Sequence, residues 1–506
     1  MRLPRTDRGR VLFVLVLATA VALFTATVPL LRDWFDLRVY HGAVDAWIHH
    51  DGHLYDYRVP GTTYGFTYPP FAAVSMLPMA LLGVRAAIGV GLLLNLAATA
   101  FVLHTLYVLT GRRLRRYGLF GIAVSVCLLA LLEPVRDTFS FGQVNLLLLA
   151  LVLGDAKLTA AGRSRWAGVG IGLAAAVKLT PAIFIVLLLL ARRPRAAGTA
   201  TGVAVAATAF AAWVAPDASR FYWTDALWDT TRIGRLAYVS NQSLQGVLAR
   251  LTDPAEPSRA VWALMALAVL GVWVWRARRA LATGDVLGAF ALTGLVACLV
   301  SPITWVHHLV WLLPSLVILA EAGLRRRRLL WLAGGLYVLL SSSVVWLWFD
   351  DASGIDGFVG SNAYVWITLG LLFGLPVGVS AGLPVGQSRG DRLPWRRRAS
   401  ATAPAPRPAA PASVPASISQ SPEPSESSTS SESSAVPPPA GGAAAGPVRG
   451  SAAEPGSGRA VASGPEAARD TARGRSDPTG SARPAAWKPQ SSNERASSYT
   501  ANRPPS

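Results

Sequence analysis

The sequence predicts an all-α polytopic membrane protein of about 12 transmembrane helices, followed by a disordered C-terminal tail. Three observations predict this fold. Of the 506 residues, 52% are apolar and only 15% are charged, whereas about 25% are charged in an ordinary soluble domain. The apolar residues form blocks of roughly 17–25 residues, the length that crosses a bilayer. After residue 386 the blocks end, and Pro, Ser, Ala and Gly dominate.

Basic clusters between the apolar blocks predict the orientation of the chain. Arginine-rich connections stay on the cytoplasmic side of a membrane, and the clusters lie at residues 2–10, 112–116, 157–165, 192–195, 276–279, 325–328 and 396–398. Threading the chain between them gives an even number of crossings with both termini in the cytoplasm of the cell. Because these clusters account for much of the formal net charge of +19, we do not expect a nucleic-acid partner.

The predicted spans include one clear N-terminal helix and two ambiguous regions. The first block follows four arginines and is too long for a signal-peptide core, so it is interpreted as a retained signal anchor. Segments 166–177 and 180–191 are each too short to cross alone, which leaves a half-inserted hairpin or one long tilted helix. The stretch 69–83, which is broken by prolines, either lies in the outer interface of the membrane or re-enters the membrane from that side. The spans are 11–31, 86–109, 117–132, 143–157, 166–177, 180–191, 199–215, 259–275, 284–300, 303–323, 329–349 and 362–386.

The chain divides into three parts by composition. Residues 1–10 form a basic cytoplasmic N-terminus, and residues 11–386 form a transmembrane domain of the plasma membrane with long outer loops at 32–68 and 216–258. Residues 387–506 lack the aliphatic side chains needed to offset the entropy of ordering, so we expect a disordered cytoplasmic tail. The site should face the outside, where the polar and aromatic loop residues gather.

The first outer loop offers carboxylates for acid–base chemistry. A carboxylate just beyond a membrane helix can accept a proton from a hydroxyl group as that hydroxyl attacks. The residues alone do not choose among Asp33, Asp36, Asp45, Asp51 and Asp56.

The same loop carries four histidines that invite a metal interpretation. His41 would share a helical face with Asp45, but no second ligand pair at zinc spacing accompanies His41, His49, His50 and His53. We therefore predict no metal and no cofactor.

Three ionisable side chains interrupt apolar segments. His307 and His308 follow Ser301-Pro302 and Trp305, and an intramembrane polar pair is either a functional site or hydrogen-bonded within the bundle. Lys178 lies at a predicted outer turn. Its ammonium group either binds an anionic group as a point charge or extends to the membrane–water interface.

The second outer loop combines arginines with amide side chains. Arg220, Arg232 and Arg235 precede Ser240-Asn241-Gln242-Ser243. Guanidinium groups suit a phosphate and amides suit sugar hydroxyls, although the arginines equally suit lipid head groups without catalysis.

At these residues the sequence resembles a known family. Seven motifs occur in order: FDLRVYHGAV, DGHLYDY, FTYPPFAAVSMLP, FGQVNLLLLALVLGD, GLAAAVKLTPAIFIV, SNQSLQGVL and SPITWVHHLVWLLP. They resemble glycosyltransferase family 87, the actinobacterial polyprenyl-phosphate-mannose-dependent mannosyltransferases of the glycosyltransferase-C superfamily. The resemblance covers residues 10–375 and leaves out the tail.

The resemblance implies a glycosyltransferase-C-like bundle that transfers mannose from a polyprenyl-phosphate-sugar donor, usually forming an α-1,2 linkage. The acceptor would be a phosphatidylinositol mannoside or a lipoglycan, with membrane lipids as further partners. Asp36 matches the family's first-loop aspartate, its general base. The substrate-binding candidates, which match recurrent motifs apart from Arg232 of the second loop, are Tyr68, Gln143, Asn145, Lys178, Arg232, Asn241, Gln242, His307 and His308.

Two alternatives remain open from the sequence. One is a related transferase that uses an arabinosyl or glucosyl polyprenyl phosphate. The other is a transporter or flippase for a polyprenyl-linked glycan, although transporters tend to place polar residues near the midplane and to contain repeats. A metal is not required for the transferase, because its leaving group is a monophosphate ester.

Overall fold

The computed structural model describes residues 4, 6–27, 33–110, 112–162 and 165–378, and in this part of the chain the regular structure is helical. The α-helices are α1 Asp7–Thr27, α2 Phe35–His49, α3 Pro70–Ser75, α4 Val84–Leu109, α5 Arg112–Arg115, α6 Gly118–Leu131, α7 Glu133–Phe141, α8 Asn145–Ala160, α9 Val169–Val177, α10 Ile183–Leu190, α11 Pro194–Val214, α12 Pro216–Phe221, α13 Leu244–Thr252, α14 Arg259–Ala282, α15 Val286–Val300, α16 Leu313–Gly323, α17 Arg327–Ser341, α18 Gly354–Gly360 and α19 Ala363–Gly374. Short 3₁₀ segments occupy Leu77–Leu81, Thr180–Ala182, Thr230–Arg232, Val306–Leu312 and Val344–Trp348, and a π-helical turn occupies Tyr222–Ala226.

Several of these helices are long and apolar enough to cross a membrane, as the sequence predicts. Among the described residues there are five, namely α1, α4, α11, α14 and the continuous segment Val306–Gly323. Two bent pairs raise the number to seven if each is one broken span: α6 with α7, bent by 69°, and α18 with α19, bent by 56°. The all-helical membrane class is therefore confirmed, while the count of twelve stays a prediction. The predicted tail at 387–506 lies outside the described residues.

The ambiguous stretch 166–191 is broken. Helix α9 ends at Val177, Lys178 is extended (φ −149°, ψ 130°), and Thr180–Ala182 forms a 3₁₀ turn before α10. Pro181 lacks a backbone N–H and restricts the residue before it, which interrupts the helical hydrogen bonds. The alternative of one long tilted helix is therefore wrong, and the break holds Lys178 between α9 and α10, outside the candidate spans.

Some predicted loops also contain helices. Within the first outer loop, Phe35–His49 form the amphipathic helix α2, and within the predicted connection 133–142, Glu133–Phe141 form α7. Between Pro69 and Leu81 the chain forms α3 and a 3₁₀ segment, with prolines in the first turn of each, where a missing N–H is tolerated.

The hydrophobic interior consists of two clusters. The larger one surrounds α15, whose residues from Leu287 to Leu299 are buried, and includes α8, α10 and α16. The smaller one packs aromatic side chains against α2, namely Tyr40, Tyr55, Phe66 and Tyr222. Val144 and Val177 pack against both clusters. The residues beside these two valines therefore lie at the seam between the clusters.

Candidate active site

The carboxyl group of Asp36 lies at this seam. Asp36 is half-buried in the first turn of α2, where the helix dipole favours a negative charge. The start of α2 is fixed against α7, because the backbone N–H of Trp34 donates to the carbonyl of Ser140 at 3.1 Å. Burial raises the pKa of Asp36 to about 7, while a hydrogen bond from Gln143 and the charge of Lys178 oppose that rise. A carboxyl group that titrates near neutral pH suits a general base.

Gln143 is the central hydrogen-bonding residue of the site. Its side-chain oxygen accepts from the hydroxyl of Tyr68 at 3.0 Å, from Tyr40 at 3.1 Å and from Nδ2 of Asn145 at 3.4 Å. Its backbone carbonyl accepts from Nδ2 of Asn95 at 3.0 Å. Because these donors occupy the amide oxygen, the amide nitrogen is the group left to donate to Asp36.

Lys178 lies at the other end of the same hydrogen-bonded chain. Its Nζ donates to Oδ1 of Asn145 at 3.3 Å and lies 2.8 Å from Nε2 of His308. The face of the Tyr68 ring is 5.1 Å away. Burial lowers the pKa of Lys178 to about 7, and the negative charge of Asp36 acts in the opposite direction. Asp36, Gln143, Asn145, Lys178 and His308 thus form one continuous polar cluster.

The two histidines occupy different positions. Nδ1 of His308 accepts from the backbone N–H of Trp305 at 3.1 Å, which leaves Nε2 toward Lys178. His307 contributes its backbone carbonyl, which accepts from Asn145 at 3.4 Å, while its ring packs against Phe141. Nε2 of His307 is buried and has no hydrogen-bond partner among the described residues. The ring of His308 is therefore the one within hydrogen-bond distance of Lys178 in the described part of the chain.

Lys178 and His308 border a narrow cleft between the helices. The cleft lies between the broken segment after α9 and the turn that precedes the 3₁₀ segment Val306–Leu312. Its walls combine hydroxyl groups with apolar side chains, and its volume of about 10 Å³ is that of about one water molecule. The lining residues are Leu148, Lys178, Thr180, Pro181, Cys298, Ser301, Thr304, His308 and Trp311.

Asn241 and Gln242 lie apart from this cluster, with their amides bonded to the backbone. Asn241 donates to the carbonyls of Leu236 and Pro302 and accepts from the N–H of Thr304. Gln242 donates to the carbonyls of Val239 and Ser361, both at 2.7 Å. Both residues are fully buried. The structure therefore favours a role in holding the turn at 302–304, and direct contact with a sugar stays a prediction.

Arg232 also lies outside the cluster. It donates to the carbonyl of Tyr55 at 2.6 Å, and its guanidinium group stacks on Phe221 at 5.1 Å. These contacts tie the second loop to the aromatic cluster beside α2, while a phosphate contact remains a prediction.

The loop histidines do not gather into a metal centre. His41 donates from Nε2 to the carbonyl of Leu82 at 2.8 Å, whereas Asp45 contacts His49 at 3.0 Å and His50 at 3.4 Å. Within the described part of the chain, no three His, Cys, Asp or Glu side chains are grouped so as to hold a metal ion.

Tyr40 is the site residue that sequence reasoning missed. It follows Asp36 by four positions on α2, and residues i and i+4 share a helical face. Its hydroxyl bonds both Gln143 and Tyr68, at 3.1 Å each. Treating the first outer loop as a helix would have placed it beside the aspartate.

Comparison with known proteins supports the resemblance seen in the motifs. The model of glycosyltransferase family 87 matches residues 66–302, a range that includes Gln143 and Lys178 but neither Asp36 nor the histidine pair. No solved structure is significantly similar to the chain.

The curated relatives are mycobacterial enzymes. A polyprenol-phosphate-mannose-dependent alpha-(1-2)-phosphatidylinositol mannoside mannosyltransferase of Mycobacterium tuberculosis is 34% identical over 310 residues, covering 58% of this chain and 71% of the relative. The enzyme of the same name from Mycolicibacterium smegmatis is 36% identical over 320 residues, with the same coverage. A phosphatidylinositol pentamannoside mannosyltransferase of M. tuberculosis is 34% identical over 355 residues, covering 68% of this chain and 79% of the relative. With this identity extending over more than two thirds of each relative, and with the family motifs brought together at one polar cluster, the chain belongs to glycosyltransferase family 87.

Proposed function

We propose that this membrane protein transfers mannose from polyprenyl-phosphate-mannose to a phosphatidylinositol mannoside or a related lipoglycan, with Asp36 as the general base. The names of the mycobacterial relatives support the donor and the acceptor class. The observation that carries the proposal is the polar cluster that joins the Asp36 carboxyl group, through Gln143 and Asn145, to Lys178 in a narrow cleft.

Asp36 acts on the acceptor. As an acceptor hydroxyl attacks the anomeric carbon of mannose, the ionised carboxylate takes the hydroxyl proton. The new glycosidic C–O bond forms while the bond from the anomeric carbon to the phosphate oxygen breaks, with inversion. The electron pair of the broken bond stays on polyprenyl phosphate. The pKa near 7 leaves a substantial ionised fraction at neutral pH and keeps the carboxylate basic enough to accept a proton.

Lys178 and His308 act on the leaving group. Polyprenyl phosphate gains a negative charge as it departs, and preorganised donors stabilise such a charge best in a site with little water. Nζ of Lys178 and Nε2 of His308 lie 2.8 Å apart at the edge of the cleft, so one phosphate group can contact both. Donor binding must widen this cleft, and the apolar side chains of Pro181 and Trp311 would then border the first prenyl units.

The charge pattern supports an extracytoplasmic site. The basic clusters follow the positive-inside rule if the chain crosses the plasma membrane twelve times with both termini in the cytoplasm. Helix α2 then lies outside the membrane between α1 and α4, where lipid-linked donors and glycolipid acceptors are both accessible. Membrane lipids surround the bundle in this arrangement.

A radiolabelled transfer assay tests the function. The full chain, purified in detergent, is given a phosphatidylinositol mannoside acceptor and one donor at a time: mannosyl, glucosyl or arabinosyl polyprenyl phosphate. We expect product with the mannosyl donor. Product with only another donor would identify the related transferase. No product with any donor, together with movement of a polyprenyl-linked glycan across liposomes, would establish the flippase instead.

A further inference from the structure

The contact between Lys178 and His308 restricts where their protons lie. Nζ and Nε2 are 2.8 Å apart, so one nitrogen must donate and the other must accept. Nδ1 of His308 already accepts from the backbone N–H of Trp305 at 3.1 Å. A neutral imidazole with an accepting Nδ1 carries its hydrogen on Nε2. Nε2 is therefore the donor toward Lys178.

Lys178 must then offer a lone pair. An ammonium group has three donors and no acceptor, whereas a neutral amine has two hydrogens and one lone pair. The contact between Lys178 and Asn145 is compatible with a neutral amine. Nζ still has hydrogens to donate to Oδ1 of Asn145 at 3.3 Å, while Nδ2 of Asn145 donates to Gln143 and to the carbonyl of His307. A charged Lys178 would place two donors against each other at 2.8 Å.

We infer, on the basis of the proposed function, that Lys178 rests as a neutral amine while Asp36 holds a proton, and that binding of the anionic donor moves this proton from Asp36 to Lys178. An O–H bond on Asp36 breaks and an N–H bond on Lys178 forms, so the pair neither gains nor loses a proton. The ammonium group and the Nε2–H of His308 then both donate to the phosphate. The base is thereby ionised when the donor is in place.

The surroundings of the pair favour this exchange. Lys178 faces Asp36, Cys298 and the two histidines, while Asp36 faces Gln143, Asp33 and Lys178. Burial opposes the charged form of both members, which brings the pKa of the acid up to about 7 and that of the amine down to about 7. A bound phosphate favours the ammonium through direct charge attraction, and a neighbouring ammonium in turn favours the carboxylate. The amides of Gln143 and Asn145 hold the two ends in place.

Counting protons on donor binding tests this exchange. Titration calorimetry of the full chain with short-chain polyprenyl-phosphate-mannose, without acceptor, is run near pH 7, where Asp36 and Lys178 together carry about one proton, in two buffers of different ionisation enthalpy. The phosphodiester has a fixed charge, so proton uptake reports on the protein. We expect about zero net uptake for the unmodified chain and for the control Gly198→Ala, but roughly half a proton or more for Asp36→Asn, whose Lys178 must take it from solution.

Two results would overturn the inference. Donor binding by Asp36→Asn without proton uptake would show that Lys178 is already charged, and uptake of about one proton by the unmodified chain would show that Asp36 is not the source. Failure of the unmodified chain to bind the donor would instead reject the proposed function. The two failures are therefore distinguishable.

Amine labelling provides a second measurement that requires no variant. The chain has only three lysines, Lys157, Lys178 and Lys488, so mass spectrometry resolves each one after a short pulse of cyanate. We expect the labelling of Lys178 to rise through a midpoint near pH 7 in the free protein, and to shift to higher pH with donor bound. A midpoint near 10.5, the ordinary value for lysine, would contradict a neutral resting amine.

Discussion

Gln143 bonds the carboxyl group of Asp36 with its side chain while its amide oxygen accepts from the hydroxyl of Tyr68 at 3.0 Å. This relationship joins the start of α2 to the junction of α7 and α8. It fixes the carboxyl group at the seam between the two hydrophobic clusters, beside the cleft that Lys178 borders. Gln143 therefore helps to position the proposed base, and its hydrogen bond opposes the rise in pKa that burial causes.

The first prediction concerns the pH dependence of transfer. A base must be ionised, and burial raises the pKa of Asp36 to about 7. We therefore expect kcat/KM to rise by about tenfold per pH unit below neutral pH, and to fall again at high pH as Lys178 loses the proton with which it binds the phosphate. Initial rates between pH 5 and pH 9 would measure this limb. A limb centred near pH 4, the ordinary range of aspartate, would contradict the assignment.

The second prediction concerns Asp36 itself. Asp36→Asn keeps the size and the hydrogen bond to Gln143 but cannot accept a proton, so transfer should fall by roughly 10²–10⁴-fold. Donor affinity should survive, because the change adds no negative charge near the phosphate. Asp33→Asn is the matched control three residues away, and should cost far less because Asp33 is exposed and its carboxylate accepts from the backbone N–H of Phe35 at 3.2 Å. Near-normal transfer by Asp36→Asn would mean that another group is the base.

The third prediction uses two substitutions that shift the acidic limb of the pH profile, the rise of kcat/KM below neutral pH, in opposite directions. Gln143→Glu places a second carboxyl group against Asp36, and like charges raise a pKa, so the limb should move up by about one pH unit or more. The negative charge of Asp33 raises the pKa of Asp36, so Asp33→Asn should move the limb down. The pH profiles of kcat/KM for both variants would test these signs. Shifts in the same direction would exclude Asp36 as the group that titrates.

The fourth prediction concerns Gly142, which ends α7 with φ 70°. A Cβ here would lie 2.6 Å from Cβ of Leu37, next to Asp36, and the left-handed conformation disfavours a side chain. Gly142→Ala should cost about 1–3 kcal/mol of stability and displace the base, lowering both Tm and kcat. Gly198→Ala in α11 is the control, because nothing lies within 4 Å of its Cβ. Equal Tm values for the two variants would contradict this close packing.

The sequence was sufficient to predict some of the site but not its connections. Asp36 could be singled out from five loop aspartates only by its match to the family's first-loop aspartate, and Lys178 because an ionisable group within an apolar run is unusual. Their link through Gln143 and Asn145 depends on the break at Lys178 and the 69° bend between α6 and α7, which apolar patterning does not specify. Tertiary packing decides such bends, so the seam between the clusters was not foreseen.

Amide side chains show a second limit of sequence reasoning. Asn145 and Asn241 are chemically identical, and both lie in motifs of the family. One bonds the proposed phosphate-binding lysine, whereas the other bonds the backbone around Pro302 and Thr304. Only the fold distinguishes the two, because the backbone carbonyl groups that an amide meets come from segments distant in sequence.

The last prediction tests the role that the structure gives Asn241. Its Nδ2 donates to Leu236 at 3.0 Å and to Pro302 at 3.2 Å, and its Oδ1 accepts from Thr304 at 2.9 Å. Asn241→Ala removes the partner of the buried N–H of Thr304, at a cost of about 1–3 kcal/mol, whereas the carbonyl of Pro302 still accepts from the hydroxyl of Ser243 at 2.9 Å. We therefore expect a lower Tm and a lower kcat, because the turn before His307 and His308 loosens, with little change in donor KM. Asn145→Ala is the matched comparison and should raise donor KM, since Asn145 contacts Lys178 directly. An unchanged Tm with a raised donor KM for Asn241→Ala would instead establish that Asn241 binds the sugar.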